Sequence, residues 1–278
     1  MDATLARKMW RTLEPYHGMI YFSPHATEAY RAFGITGQRG YFASRSAPMG
    51  AVRGEVVVAT FFNFNPALVH EAFPAAWDAA APSAWVEARL GAVDAQLREV
   101  LGDSVTAAPE IIEAAAIARR ATDACSSPGR PLYAGHASLD WPEEPHLVLW
   151  HAITLLREFR GDGHIAALVN EGLDGCEALV THGSDGAVPA SILQSTRGWS
   201  NEEWEAARAR LENRGWMAGD DATAAGADAR GRIELRTDEL AMAPWDALGT
   251  EDADLLRRLV RPFSKAISES GVFFNRPT

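Results

Sequence analysis

Residues 200 to 216 read Ser200-Asn201-Glu202-Glu203-Trp204-Glu205-Ala206-Ala207-Arg208-Ala209-Arg210-Leu211-Glu212-Asn213-Arg214-Gly215-Trp216. The stretch opens as a capping box: the Ser200 hydroxyl can accept the Glu203 amide while the Glu203 carboxylate reaches back to the Ser200 amide. Trp204, Ala207 and Leu211 then recur at helical spacing and make one apolar stripe, which Trp216 extends past the stop at Gly215. This predicts a helix over 201–214. Upstream, 189–196 reads as a shorter helix, and Arg197-Gly198-Trp199 as the tight turn between the two. Downstream, Trp216-Met217-Ala218-Gly219-Asp220-Asp221 starts a β-wing, and Thr223-Ala224-Ala225-Gly226 leads into a returning helix over 227–240.

Helix, turn, helix, Arg210-Leu211-x-x-Arg214-Gly215-Trp216, wing and Thr-x-x-Gly resemble, in that order, a MarR-type winged helix. The resemblance covers 189–240 and implies a DNA-reading fold. In such modules the N-terminal half of the second helix enters the major groove and the wing lies on phosphates. The charge opposes that use. The first turns of this helix carry Glu202, Glu203 and Glu205 with no base, and the wing tip carries Asp220 and Asp221. Groove readers need Lys and Arg to neutralise phosphate, the term that supplies most of the affinity. The chain as a whole has net charge −11, divided as −8 before Pro189 and −3 from it onward. DNA is therefore an unexpected partner, and the module reads as a scaffold.

Outward from the module, the chain is helical by pattern. A first helix is expected over 3–19, and a second begins at Pro24 with Ser23 as its cap. Residues 37–50 hold three glycines and a proline and read as an ordered loop. Residues 56–64 fit a strand or a buried helix equally well. Helices follow over 66–79, 82–101 and 109–124, then an irregular stretch over 130–145. Residues 145–159 are apolar almost all round and should form the central buried helix. Arg160-Gly161-Asp162-Gly163 should end it, with Asp162 capping a further helix over 164–170. The expected class is mainly α: a helical N-terminal domain over 1–144, and a domain over 145–278 holding the central helix, winged helix and C-terminal helix. A second reading of the N-terminal half is a degenerate winged-helix copy, forming an internal pseudo-dimer. Pro66-Ala67-Leu68-Val69, Trp85-Val86-Glu87-Ala88-Arg89-Leu90 and Thr106-Ala107-Ala108 parallel Pro189-Ala190-Ser191-Ile192, Trp204 to Leu211 and Thr223-Ala224-Ala225. Chance alignment of Ala/Arg/Leu/Trp-rich helices explains the match equally well.

The composition, 47% hydrophobic and 23% charged, is that of a soluble globular protein. No apolar run approaches the roughly 18 residues of a membrane span, and the N-terminal residues lack the apolar core of a signal peptide. Cys125 and Cys176 form no CxxC, and free thiols in a reducing cytosol are expected. The protein is expected to be cytoplasmic.

Every histidine lies between His17 and His182, outside the module. His17, Arg45, His151 and Arg157 are the candidate catalytic set, with histidine as acid, base or ligand and arginine as anion anchor. Tyr21, Asn63, His136, Trp150, Asp162 and His164 are candidate ligand contacts. A histidine inside an apolar helix, such as His151, must find a hydrogen bond or be desolvated, and either shifts its pKa. The bland reading is a structural histidine bonded to a carbonyl. Arg157, Glu158, Arg160 and Asp162 read equally as an anion site or as an ion-pair network at a helix end. No metal-ligand spacing, phosphate loop or nucleophile elbow occurs. Haem on a single histidine, or a divalent metal, stays open because neither needs a motif. The segments 17–24, 41–50, 59–66 and 149–164, with the module, resemble a two-part helix-turn-helix family of high-GC bacteria that implies no settled activity. The leading expectation is a small-molecule-binding protein, an enzyme, on a winged-helix scaffold that has lost DNA binding, its pocket lying between the N-terminal half and the central helix. The alternatives are a ligand-responsive regulator of MarR type and a ligand-free interaction module.

Overall fold

The computed structural model describes residues 2–274 except 185 and 187. In chain order the helices are α1 (Thr4–Gly18), α2 (Pro24–Arg31), α3 (Gln38–Ser46), α4 (Gly54–Phe61), α5 (Pro66–His70), α6 (Ala75–Ala79), α7 (Pro82–Leu101) and α8 (Pro109–Thr122). There follow α9 (Pro131–Ala137), α10 (Pro145–Asn170), α11 (Gly175–Gly183), α12 (Ala190–Arg197) and α13 (Asn201–Asn213). The strands β1 (Met217–Ala218) and β2 (Asp221–Ala222), antiparallel, lead to α14 (Ala224–Leu240), α15 (Ala243–Leu248) and α16 (Thr250–Glu269). The fold is mainly α.

Local chemistry accounts for the boundaries. Proline opens α2, α5, α7, α8, α9 and α10, where its missing N–H costs nothing. Ser23 caps α2, Asn65 caps α5, and α13 begins with the expected Ser200–Glu203 box. Gly198 ends α12 in the left-handed conformation, at φ 75°, that a tight helix-turn-helix bend needs. Thr223 caps α14, which therefore starts three residues before the expected position.

Three expectations are corrected. Residues 37–50 are helical: Gly37 and Gly50 bound α3 and a following 3-10 turn, and Phe42, Ala43 and Ser46 supply a buried face between them. Residues 130–145 contain α9. The central helix runs unbroken through Arg160-Gly161-Asp162-Gly163 to Asn170. Interior glycine costs a helix about 1 kcal/mol, but a Cβ on Gly163 would lie 2.9 Å from the Arg130 guanidinium and 3.2 Å from Leu240. A side chain there would have to displace the flexible end of Arg130 and crowd Leu240. Asp162 caps α9 instead of a new helix, accepting the Tyr133 amide at 2.9 Å. The open choice over 56–64 resolves as helix α4.

α10 joins two cores. Its first half, with Leu149, Ala152, Ile153 and Leu156, lies in a large core with α1, α7, α8 and α16. Its far end, with Ala167 and Leu168, enters a second core with Leu179, Leu193, Trp204, Ala207, Leu211, Met217 and Ile233, which is the interior of the helix-turn-helix. The C-terminal α16 packs back on α1 and α8. The suggested repeat pairs α7 with α13 and α8 with α14, and both α8 and α14 lie along α10. The connector from α7 to α8 is a 3-10 turn, Asp103–Ala107, so among the described residues only the C-terminal segment has a wing.

The helix-turn-helix is docked onto the N-terminal body through its turn. The Asn65 amide donates to the Arg197 carbonyl at 2.9 Å, Trp199 Nε1 to the Asn63 carbonyl at 2.9 Å, and Gln38 Nε2 to the Thr196 carbonyl at 2.7 Å. Asn65 Nδ2 also donates to the Glu203 carboxylate. Phe62 makes the joint. It has φ 52°, which costs a bulky residue about 1–3 kcal/mol, and its side chain packs on the second core. A Cβ on Gly175 would lie only 2.1 Å from the Phe62 carbonyl oxygen, so that approach admits glycine alone.

Candidate functional site

Four arginines from four helices converge beneath this joint. Arg45 comes from α3, Arg89 from α7, Arg157 from α10, and Arg197 from the end of α12. Glu158 of α10, fully buried, is their main counter-charge. Arg45 grips it side-on, with Nε to Oε1 at 3.2 Å and the terminal nitrogen to Oε2 at 2.9 Å. Arg157 donates to both oxygens at 3.0 and 3.1 Å, and its Nε lies 3.6 Å from Glu14. Burial opposes the charge on Glu158, but Arg157 and Arg45 outweigh it and hold the carboxyl well below its usual range. Burial likewise opposes the charge on Arg45, and Glu158 outweighs that, leaving the guanidinium well above its ordinary value.

The cluster is cationic in sum. Arg89, 3% exposed, donates to the Ser44 carbonyl and the Tyr21 hydroxyl, and its Nε has no partner. Arg197 points inward over the Phe64 ring at 4.9 Å, and its Nε also has no partner. Four guanidiniums thus lie in one region with two carboxylates, Glu158 and the half-buried Glu14, which pair only with Arg45 and Arg157, and the region is walled by Tyr21, Tyr41, Phe61 and Phe64. Their ring centroids lie 5.1–6.3 Å apart, and Arg45 lies 4.6 Å over Phe61. Unpartnered buried donors are rare, and outside the cluster the Nε atoms of Arg160 and Arg230 are without a partner as well.

His17 forms the floor. It is fully buried, stacked on Trp150 at 5.7 Å, with Nδ1 2.9 Å from Thr154 Oγ1 and Nε2 2.7 Å from the Tyr21 hydroxyl. Burial, with Arg157 adding to it, holds His17 neutral well below the usual imidazole range. His136, 2% exposed, borders the cluster. Burial pushes it down to about 3, and its Nε2 is unpartnered.

The structure therefore gathers His17, Arg45, Arg157, Tyr21 and Trp150, with His136 at the edge. His151 lies apart, edge-on to Trp141 at 4.8 Å and pushed down to about 4 by burial. It shares a helix face with Glu158, but seven residues separate the two by about 10 Å along the axis. His164 bonds Thr237 on α14, Asp162 caps α9, and Asn63 offers its carbonyl to Trp199. Glu158, Arg89, Arg197 and Tyr41 complete the cluster. Glu158 carried a signal, a carboxylate in an otherwise apolar helix. Arg89 carried none, because a single Arg in an Ala/Arg-rich helix reads as solvated.

The space beside the cluster is small. A cavity of about 30 Å³ touches Tyr21, Tyr41 and Ser44, and one of about 20 Å³ touches Glu14, Arg157 and Trp10. A shallow hollow of about 240 Å³ between α10 and α14 is lined by Arg232, Leu235 and Arg236, remote from these groups. No three His, Cys, Asp or Glu side chains among the described residues gather closely enough to hold a metal, and none of the described helices is long and apolar enough to cross a membrane.

On the outer face of the helix-turn-helix, the remaining arginines are engaged. Arg208 pairs with Glu205 and Asp220, Arg210 with Glu177 and Asp174, and Arg232 with Glu171. Arg214 donates to the Glu171 and Gly172 carbonyls. No curated protein and no solved structure matches the chain. The sequence profile of a helix-turn-helix family matches residues 6–274, nearly the whole chain, and the protein belongs to that family.

Proposed function

We propose that the protein binds a small organic anion at the arginine cluster, on a MarR-like winged-helix scaffold that has given up DNA. The observation that carries this is the cationic excess: Arg45, Arg89, Arg157 and Arg197 turn inward on fewer carboxylates, with two buried Nε donors unpartnered. Arginine forks suit carboxylate and phosphate, and the aromatic wall suits a planar body. Ligand pockets span about 300–1,000 Å³, far more than the space beside the cluster, so binding would require the site to open. Arg197 stands at the start of the helix-turn-helix bend, so a displacement of that arginine would move the bend with it. His17 and Tyr21 give the site an acid–base pair, which favours an enzyme. The same link through Arg197 favours a ligand-responsive regulator as second reading. Against it, Arg208, Arg210 and Arg232 are already neutralised and Glu202, Glu203 and Glu205 line the reading helix.

Thermal-shift measurements across aryl carboxylates, aryl phosphates and their neutral amides or alcohols test the reading. The anions should stabilise the chain and the neutral forms should not. Tight, sequence-dependent DNA binding with a steep salt dependence would overturn the loss of DNA function.

A further inference from the structure

The hydrogen bonds around His17 are satisfied most fully by one proton arrangement. The Thr154 hydroxyl donates to the Trp150 carbonyl one helical turn back, at 2.9 Å. With the hydroxyl so turned, its oxygen accepts from His17, which places the ring proton on Nδ1. Nε2 presents its lone pair and accepts the Tyr21 O–H at 2.7 Å. The Tyr21 oxygen accepts in turn from Arg89 at 3.3 Å, and the Arg157 guanidinium lies 5.7 Å from the Tyr21 ring. The phenol thus stands between the arginines and a base, and the base is oriented by a third group, the arrangement that activates catalytic side chains. His17 itself is fully buried and reaches the site only through Tyr21.

We infer that Tyr21 is the proton-transfer residue of the anion site, relayed to His17 with Thr154 as the positioning residue, and that the bound anion also carries a weakly acidic hydroxyl, a phenol or an enol. The inference rests on the anion reading above. In the step, the ligand O–H bond breaks and its proton passes to the Tyr21 oxygen, while the Tyr21 proton passes to His17 Nε2. The ligand is left as an oxyanion beside Arg45, Arg89 and Arg157. His17 becomes an imidazolium with Nδ1–H still on Thr154. Charge and atoms balance, and the reverse step restores both partners. Burial first, and then Arg157, Arg89 and Arg45, oppose the imidazolium, whereas Glu158 and the new oxyanion favour it, and the step runs only as far as the oxyanion offsets that burial.

The test uses the full chain and 4-hydroxy-3-nitrophenylacetate, a carboxylate whose phenol turns yellow on ionising. At one unit below the probe's free pKa, binding should raise the ionised fraction about fivefold. Tyr21→Phe and Thr154→Val should abolish the rise while the probe still binds, and Thr154→Ser should retain it. Binding without a rise, or a rise undiminished in Tyr21→Phe, overturns the relay and leaves the anion reading standing. No binding overturns both. Long-range ¹H–¹⁵N spectra of the unliganded chain supply a check free of variants: His17 should show a protonated Nδ1 and a bare Nε2, and the opposite tautomer overturns the relay.

Discussion

Replacing Glu158 by glutamine should expose how much of the fold depends on one buried carboxylate. The substitution keeps shape and volume but removes the charge shared by Arg45 and Arg157. Four guanidinium–carboxylate hydrogen bonds converge on this side chain, and glutamine's single oxygen can keep about half of them. Breaking a buried pair by neutralising one partner costs about 3–5 kcal/mol. The side chains of Arg45 and Arg157 retain 11% and 22% exposure, and Glu14 remains near Arg157, so the lower end, about 3 kcal/mol, is expected. Urea unfolding followed by circular dichroism at pH 7, for wild type and Glu158→Gln, measures it. Glu158 also competes with any ligand for the same arginines, so the variant should recover more stability from an added aryl carboxylate than wild type does. The folded carboxyl lies well below its unfolded value, so the difference should be full above the unfolded pKa, persist at pH 4, and close only at lower pH. A loss under about 1 kcal/mol would refute the reasoning, because the pair would then be too weak to organise the site.

Burial pushes His136 and His164 down to about 3 and His151 to about 4, and it holds His17 well below the usual imidazole range. Unfolding near pH 5 should therefore take up about four protons on these rings. Asp162, raised to about 6, holds a proton in the folded state and offsets one. Stability should fall by roughly 4 kcal/mol per pH unit there, which thermal unfolding between pH 7 and 4.5 would check. Gly175→Ala must displace the Phe62 carbonyl and should cost about 1–3 kcal/mol; limited proteolysis should then cut first at the joint near residues 62–65. Cys125 and Cys176 are both pushed up to about 12 by burial, so neither should react with a thiol reagent at pH 8 until the chain unfolds.

Much of the helix-turn-helix was legible because its signals are local. Ser200–Glu203, Gly198 and Thr223 each specify a boundary through one or two hydrogen bonds, and each forms. The errors came where tertiary packing overrides local cues. Gly161 and Gly163 resemble a stop until Arg130 and Leu240 are seen against the helix, and Gly37 and Gly50 bound a helix instead of marking a loop. In the site, His17, Tyr21, Arg45 and Arg157 could be suspected from residue type alone. Their convergence on Glu158 depends on α1, α3 and α10 meeting across more than 100 residues of sequence, and no spacing records that. Arg197 appears in the sequence only as part of the turn after the 189–196 helix, because a sequence does not tell which way an arginine at a helix end turns.

The central claim is that the inward arginines form an anion site. Isothermal titration of the full chain with 4-hydroxyphenylacetate and with its uncharged amide tests it most directly, since the two differ only in the group the arginines would hold. The acid should bind at least about tenfold more tightly, a difference of about 1.4 kcal/mol, and Arg197→Ala should narrow the gap. Equal affinity for the two, or heat from neither, would contradict the account.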